Sequence, residues 1–246
     1  MKAIGIIPAR FASTRFPGKP LTDIGGKTMI QRVYEQALKS EFLEKVIVAT
    51  DDSRIEQHVK SFGGNVMLTS DLHTSGTERC QEVISNLKPD NEVVVVNIQG
   101  DEPFINPQQI DELIACFLSG NEYVQIATLK KKISNEHEIF DSNVVKVVCA
   151  TNGNALYFSR SPIPYLRGQN QDEWILQQTH YKHVGIYAYR VQYLEEIVKL
   201  PMGNYEKLES LEQLRWLENN YKIKVIETDK ESISIDTPED LKKIVF

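Results

Sequence analysis

Three short apolar runs, AIGII (residues 3–7), KVIVAT (45–50) and EVVVVNI (92–98), constrain the fold more than any other feature of this chain. Each has the length of one strand and lacks polar alternation, the pattern of a strand covered on both faces. Between them lie helical periods. Ile30, Val33, Tyr34, Ala37 and Leu38 repeat at i, i+3, i+4, as do Ile55, Val59 and Phe62, closed by Gly63 and Gly64, and then Cys80, Val83, Ile84 and Leu87. A further helix is marked at both ends, by Asn106 as cap, Pro107 at the first helical position and Gly120 as stop. Strands alternating with helices predict an α/β fold with a doubly wound, mainly parallel sheet. Ligands in such sheets bind at the carboxyl ends of the strands, which directs attention to Pro8 through Lys19, to Asp51 and Asp52, and to Gln99 through Pro103.

After about residue 121 the texture changes. YVQIATL (123–129), VVKVVCA (144–150), ALYFS (155–159) and VGIYAY (184–189) follow one another with few helices between them, which predicts a smaller, partly antiparallel lobe, closed by helices near 190–198, 208–219 and 238–245. No linker separates the halves, so residues 1–246 read as one domain with approximate lobes 1–120 and 121–246. With 41% hydrophobic and 25% charged residues the chain is an ordinary globular sequence. A net charge of -6 argues against general adhesion to nucleic acid or to anionic membrane, so any basic site must be local. Cys80, Cys116 and Cys149 lack the spacing of a zinc site or a disulfide framework, which suits a reducing cytosol. MKAIGIIPAR is too short an apolar run for a signal peptide.

The loop IIPARFASTRFPGKPL (6–21) holds three cations, Arg10, Arg15 and Lys19, and no acid. A one-signed loop behind a buried strand suits an anionic ligand. Pro8 and Gly18 can shape a turn in which backbone N–H groups and these side chains cradle successive phosphates. GGKT (25–28) imitates the end of a P-loop, but residue 21 is Leu rather than Gly. NIQGDEP (97–103) puts Asp101 at a neighbouring strand end. There it could ligate Mg²⁺, which prefers one or two protein carboxylates with phosphate oxygens and water, or simply form a turn. A second acid, Asp236, ends the run SISI ahead of Thr237, Pro238, Glu239 and Asp240, which a helix start explains; an Asx-type turn would suit Asp236 equally. In DLHTSGTER (71–79), Thr77 and Glu78 read as a helix start, leaving Arg79 as a cation in a first turn that disfavours it. A bound anion or a carboxylate partner would account for it. Taken alone, His183 reads as a structural histidine and Glu209 and Gln213 as two residues on one helical face. No nucleophile elbow, HExxH or Ser/His/Asp order supports covalent hydrolysis.

Together, IIPARFASTRFPGKPL, VATDD, SGTER, NIQGDEP, VVKVV, ALYFSRSPIP, HVGIYAYR, LEQLR and DTPEDL resemble, in order and from end to end of the chain, the 3-deoxy-manno-octulosonate (Kdo) cytidylyltransferases. The resemblance implies a fold of the nucleotide-diphospho-sugar transferase type, with a nucleotide-binding first half and a second half for sugar binding and dimerisation. It implies a cytoplasmic homodimer that couples CTP to Kdo, giving CMP-Kdo and pyrophosphate for lipopolysaccharide biosynthesis. By motif match, Arg10, Arg15 and Lys19 grip the triphosphate and form the catalytic set with Asp101. Pro8, Ala9, Thr74, Ser75, Gly76, Arg79, Gln99 and Gly100 complete the nucleotide site. Gln99, Arg160, His183, Tyr187, Glu209 and Gln213 hold the sugar acid, Arg160 and His183 at its carboxylate, and the cofactor Mg²⁺ is ligated by Asp101 and Asp236. Activation of sialic acid is disfavoured because that form of the loop carries GGSK where this chain has FASTRFPGK; the 8-amino analogue of Kdo stays open. A nucleotide-binding regulator without turnover is disfavoured by the retention of every expected acid and cation.

Overall fold

The computed structural model describes residues 3–12, 16–119, 123–231 and 233–243. In chain order the first half contains β1 (Ala3–Ala9), α1 (Met29–Ala37), β2 (Lys45–Thr50), α2 (Ser53–Ser61), β3 (Val66–Leu68), α3 (Gly76–Leu87), β4 (Val94–Asn97) and α4 (Pro107–Leu118). The second half contains β5 (Ile126–Lys132), α5 (Glu136–Phe140), β6 (Lys146–Cys149), β7 (Ala155–Ser159), β8 (Tyr181–Arg190), α6 (Val191–Ile197), α7 (Asn204–Glu209), α8 (Gln213–Glu218) and β9 (Ile223–Glu227). Short 3-10 turns cover Lys19–Leu21, Gln171–Gln177 and Pro238–Lys243.

The strands form one sheet in the order β3-β2-β1-β4-β8-β5-β9, with β6 and β7 paired off its flank. β1, β2, β3 and β4 run parallel, β8 is antiparallel to both β4 and β5, and β9 returns parallel to β5. The apolar runs lack alternation because each face has its own helical layer. Ile7, Val94 and Val96 pack with Ile30 and Val33 of α1 and Ile110 and Leu113 of α4. Ile6 and Val95, one residue out of phase, pack on the other side with Cys80 and Val83 of α3, Leu194 of α6 and Trp216 of α8. Each such fully buried side chain contributes roughly 1.5–3 kcal/mol relative to exposure.

Several boundaries differ from the sequence expectation. β5 lies three residues further on, and its pairing with β8 shifts register between Thr128 and Leu129. The helix expected over 208–219 is broken: α7 ends at Glu209, Ser210 takes a left-handed backbone (φ 52°), and α8 begins at Gln213. The C-terminal helix is a 3-10 turn, and Ser75 rather than Thr77 caps α3. β3 and β9 were not expected. Gly120, read as the stop of α4, lies outside the described residues. All three cysteines are free thiols. No helix among the described residues is long and apolar enough to cross a membrane.

Candidate active site

The carboxyl ends of β1 and β4 lie side by side, since Ile6 pairs with Asn97 in the parallel register. Beyond β1 the chain folds back on itself, with Gly18 N–H donating to Phe11 O at 3.0 Å. Gly18 adopts φ 73°, the left-handed region that favours glycine, and leads into the 3-10 turn that carries Lys19. Buried Pro20 fixes the next residue. Beyond β4, Gly100 approaches β1 so closely that a Cβ there would stand 2.7 Å from the Pro8 carbonyl oxygen. Gly100→Ala must therefore push the two strand ends apart, an overpacking that costs about 1–3 kcal/mol. It is expected to lower the thermal midpoint and depress turnover together, as paired melting and rate measurements would show.

The C-terminal segment reaches the same place. Ile235 is fully buried against Ile24 and Met29, and its N–H donates to Asp101 O at 3.0 Å. That backbone bond sets Asp236 beside Asp101. Lys19 Nζ lies between the acids, 2.9 Å from Asp101 Oδ2 and 3.5 Å from Asp236 Oδ1, and donates to Ile235 O at 3.0 Å. Asp240 is explained locally, accepting from the N–H groups of Asp236 and Thr237.

These segments enclose a cleft of about 280 Å³. It is lined by Pro8, Ala9, Arg10, Lys19, Thr74, Ser75, Gly76, Arg79, Gln99, Gly100, Asp101 and Asp236. Every described residue assigned from sequence to nucleotide or metal thus meets in one place. Arg15 lies outside the described residues. His73 and Pro20 also line the cleft, without a signal in the sequence that singled them out.

The N-terminal end of α3 forms one wall. Its capping box is complete: Ser75 Oγ accepts from Glu78 N–H, and the Glu78 carboxylate accepts from the N–H groups of Thr74 and Ser75. A carboxylate already sits on this helix end, so a phosphate is better accommodated on the Arg10 and Lys19 side, leaving Thr74, Ser75 and Gly76 to face uncharged parts of a ligand. Arg79 is 3% exposed. It donates to Asp51 Oδ2 at 2.9 Å and to Thr69 Oγ1 at 2.5 Å. The partner its position demanded is therefore a carboxylate at the end of β2. Asp52 instead caps α2.

Of the residues assigned to the sugar, only Gln99 lines this cleft, and its Nε2 donates to Gly185 O at 2.9 Å, linking the cleft to β8. His183 and Tyr187 flank that glycine on the same strand. Burial pushes the His183 imidazole down to about 3. The ring is therefore neutral and can offer a carboxylate a hydrogen bond but no charge. Its Nε2 lies 2.9 Å from Thr128 Oγ1. Arg160 is occupied as a backbone clamp, with Nε donating to Glu209 O at 2.6 Å and a terminal nitrogen donating to Ser142 O at 2.9 Å. Glu209 accepts from Ser159 Oγ at 2.6 Å and from Arg160 N–H at 2.9 Å.

The break at Ser210 means that Glu209 and Gln213 do not share a helical face, contrary to the sequence reading. The carboxylate that reaches the cleft wall from this region is Glu212, which sequence reasoning missed. It accepts from Thr77 Oγ1 at 2.8 Å, and burial pushes its carboxyl up. The motif LEQLR contained it, but a helix through 208–219 pointed to Glu209 instead. Gln213 is buried, and its Nε2, like Asn97 Oδ1, has no hydrogen-bond partner among the described residues. Asn97 stands opposite Tyr187 in the β4–β8 register, and Trp216 of α8 packs edge-on against Tyr187 at 5.2 Å. Orphaned polar atoms of this kind call for a polar ligand.

The cytidylyltransferase family profile matches residues 4–231. A 3-deoxy-manno-octulosonate cytidylyltransferase from Parabacteroides distasonis is 57% identical, over 99% of this chain and 96% of its own length. Its counterpart from Geobacter sulfurreducens is 49% identical, over 100% of this chain and 98% of its own. The solved structure of a CMP:2-keto-3-deoxy-manno-octonic acid synthetase complexed with CTP matches with a TM-score of 0.89 and 43% identity, covering 99% of this chain and 96% of that one. A 4-diphosphocytidyl-2C-methyl-D-erythritol synthase from Anaerococcus prevotii, 15% identical with a TM-score of 0.61 over 98% of this chain and 96% of its own, shares the fold. Full-length identity, a common fold and a cleft that gathers the motif residues agree: the chain belongs to the 3-deoxy-manno-octulosonate cytidylyltransferase family.

Proposed function

We propose that this chain couples CTP to Kdo, releasing pyrophosphate and forming CMP-Kdo. The observation that carries the reading is the single cleft in which the cationic β1 loop, the α3 wall and two carboxylates from distant segments meet. Arg10 and Lys19 hold the triphosphate and offset the charge that develops on the leaving pyrophosphate. Thr74, Ser75, Gly76 and Gly100 bring backbone close to the nucleoside. Gln99, Tyr187, Glu212 and Gln213 hold the hydroxyl-rich sugar acid, whose oxygens satisfy Asn97 Oδ1 and Gln213 Nε2, with His183 and Arg160 bordering it. Its anomeric hydroxyl then attacks the α-phosphorus in line. Positioning and fixed charge supply most of the acceleration, as in other transfers at phosphorus.

Asp101 and Asp236 would hold Mg²⁺, and the donor set suits that ion: two carboxylates gathered around one cation, with no cluster of three or more His, Cys, Asp or Glu side chains among the described residues to supply further ligands. Phosphate oxygens and water complete such a shell. When bound, Mg²⁺ neutralises charge on the triphosphate oxygens. The proposal includes a homodimer in the cytoplasm, for which a light-scattering mass twice that of one chain is the check.

The test is pyrophosphate release with Mg²⁺ across the four ribonucleoside triphosphates, each paired with Kdo, 8-amino-Kdo or sialic acid. Strong release confined to CTP with Kdo is expected. Comparable release with another triphosphate or acid sugar would replace the substrate assignment.

A further inference from the structure

Two carboxylates held side by side in a cleft repel unless a cation stands between them. Here the cation belongs to the chain. Lys19 Nζ is 2.9 Å from Asp101 Oδ2, 3.0 Å from Ile235 O and 3.5 Å from Asp236 Oδ1. An ammonium has three N–H donors and no more, so these three oxygens take all of them. To reach a phosphate, Lys19 must release at least one. All three acceptors are hard oxygens of the type a divalent ion such as Mg²⁺ or Mn²⁺ takes. The ammonium and the ion therefore compete for the same atoms.

For Lys19 the exchange requires movement of its side chain alone. Gly18 and Pro20 fix the backbone on either side of Lys19, and Ile235 is locked to Asp101 by its own N–H. The lysine side chain is only 16% exposed, yet its four-carbon stem can swing without disturbing either anchor. A triphosphate laid across the cleft would supply replacement acceptors for the ammonium.

We propose that Lys19 is a resident counter-ion of the Asp101–Asp236 pair, excluding a divalent ion until nucleotide phosphates draw its ammonium away, so that nucleotide and ion load together. This deepens the proposed function and rests on its assignment of the two acids to the metal. Lys19 thus has alternate partners, the acid pair without nucleotide and the phosphates with it. Each carboxylate thus keeps a cation beside it at each stage.

The test is Mn²⁺ binding to the full, nucleotide-free chain, read as loss of the free-ion electron paramagnetic resonance signal. Lys19→Met is expected to bind Mn²⁺ at least about tenfold more tightly than the unmodified chain, equivalent to about 1.4 kcal/mol. Lys19→Gln should do the same and serves if the methionine variant does not fold. Arg10→Met is the control for the general field: Arg10 lines the same cleft without an ion pair to either carboxylate among the described residues. Its removal is expected to change Mn²⁺ affinity less than about threefold. Adding Asp101→Asn to a Lys19 variant should erase the gain.

Equal gains from the Lys19 and Arg10 variants would overturn the proposal, leaving only a diffuse charge effect. No gain from Lys19 variants, with Asp101-dependent Mn²⁺ binding intact in the CTP-loaded chain, would overturn the counter-ion role and leave the metal site standing. Absence of Asp101-dependent binding in both the Lys19 variants and the CTP-loaded chain would remove the metal assignment itself, and the counter-ion role with it.

Discussion

Asp101→Ala is expected to lower Mg²⁺-dependent pyrophosphate release by at least about 10³-fold while leaving the fold intact. The two halves of that expectation rest on different observations. The Asp101 side chain is 25% exposed, and its ion pair is with Lys19, which keeps Ile235 O and Asp236 as partners after the change. Loss of such a partly exposed pair costs about 1 kcal/mol or less. The bond that seats the C-terminal segment uses the Asp101 backbone oxygen and survives. On the proposed metal role, function suffers because one of the two carboxylates that would hold the ion is gone. Pyrophosphate release and thermal melting on the same preparation check both halves, with Asp101→Asn as the isosteric control. Turnover at the unmodified rate in either variant would refute the metal role.

Arg79→Met is expected to cost about 3–5 kcal/mol of stability, the range for breaking a buried pair by removing one partner. Arg79 is 3% exposed, and its guanidinium joins Asp51 at the end of β2 to Thr69 just beyond β3. Truncation leaves the partly buried Asp51 carboxylate without its cation. Adding Asp51→Asn removes that stranded charge and should recover roughly half of the loss, because neutralising both partners is far milder than removing one. Denaturant unfolding of the single and double variants measures the coupling. A loss below about 1 kcal/mol for Arg79→Met, or no recovery in the double variant, would show that the pair does not hold this wall of the cleft.

The cleft was legible in the sequence because two of its walls follow strand-end rules. Apolar runs located β1 and β4, and the residues after them, Pro8 through Lys19 and Gln99 through Asp101, fall in the cleft as a parallel sheet requires. Asp236 stood out only as an acid with a weaker local explanation than Glu239 and Asp240, and an Asx-type turn suited it equally. Its seat beside Asp101 depends on the Ile235 backbone bond, a contact between segments more than 130 residues apart that no local pattern encodes. Arg79 announced that it needed an anion, but choosing Asp51 over a ligand required the β2–α3 geometry.

The second half was less legible for a physical reason. LESLEQLR has continuous helical character, and Ser210 carries no signal for the left-handed backbone that divides it. That single residue separates Glu209, at the end of α7, from Glu212, which reaches α3 through Thr77. β3 spans three residues, too few for periodicity to register, and β9 depends on its neighbour β5 for definition.

The shared site is tested most directly by crystals grown with CTP and Mn²⁺, using the anomalous signal of the ion. One peak about 2.1 Å from carboxylate oxygens of both Asp101 and Asp236 is expected, with the triphosphate against Arg10 and Lys19. A nucleotide seated away from the β1 loop, or an ion bound without either carboxylate, would contradict it.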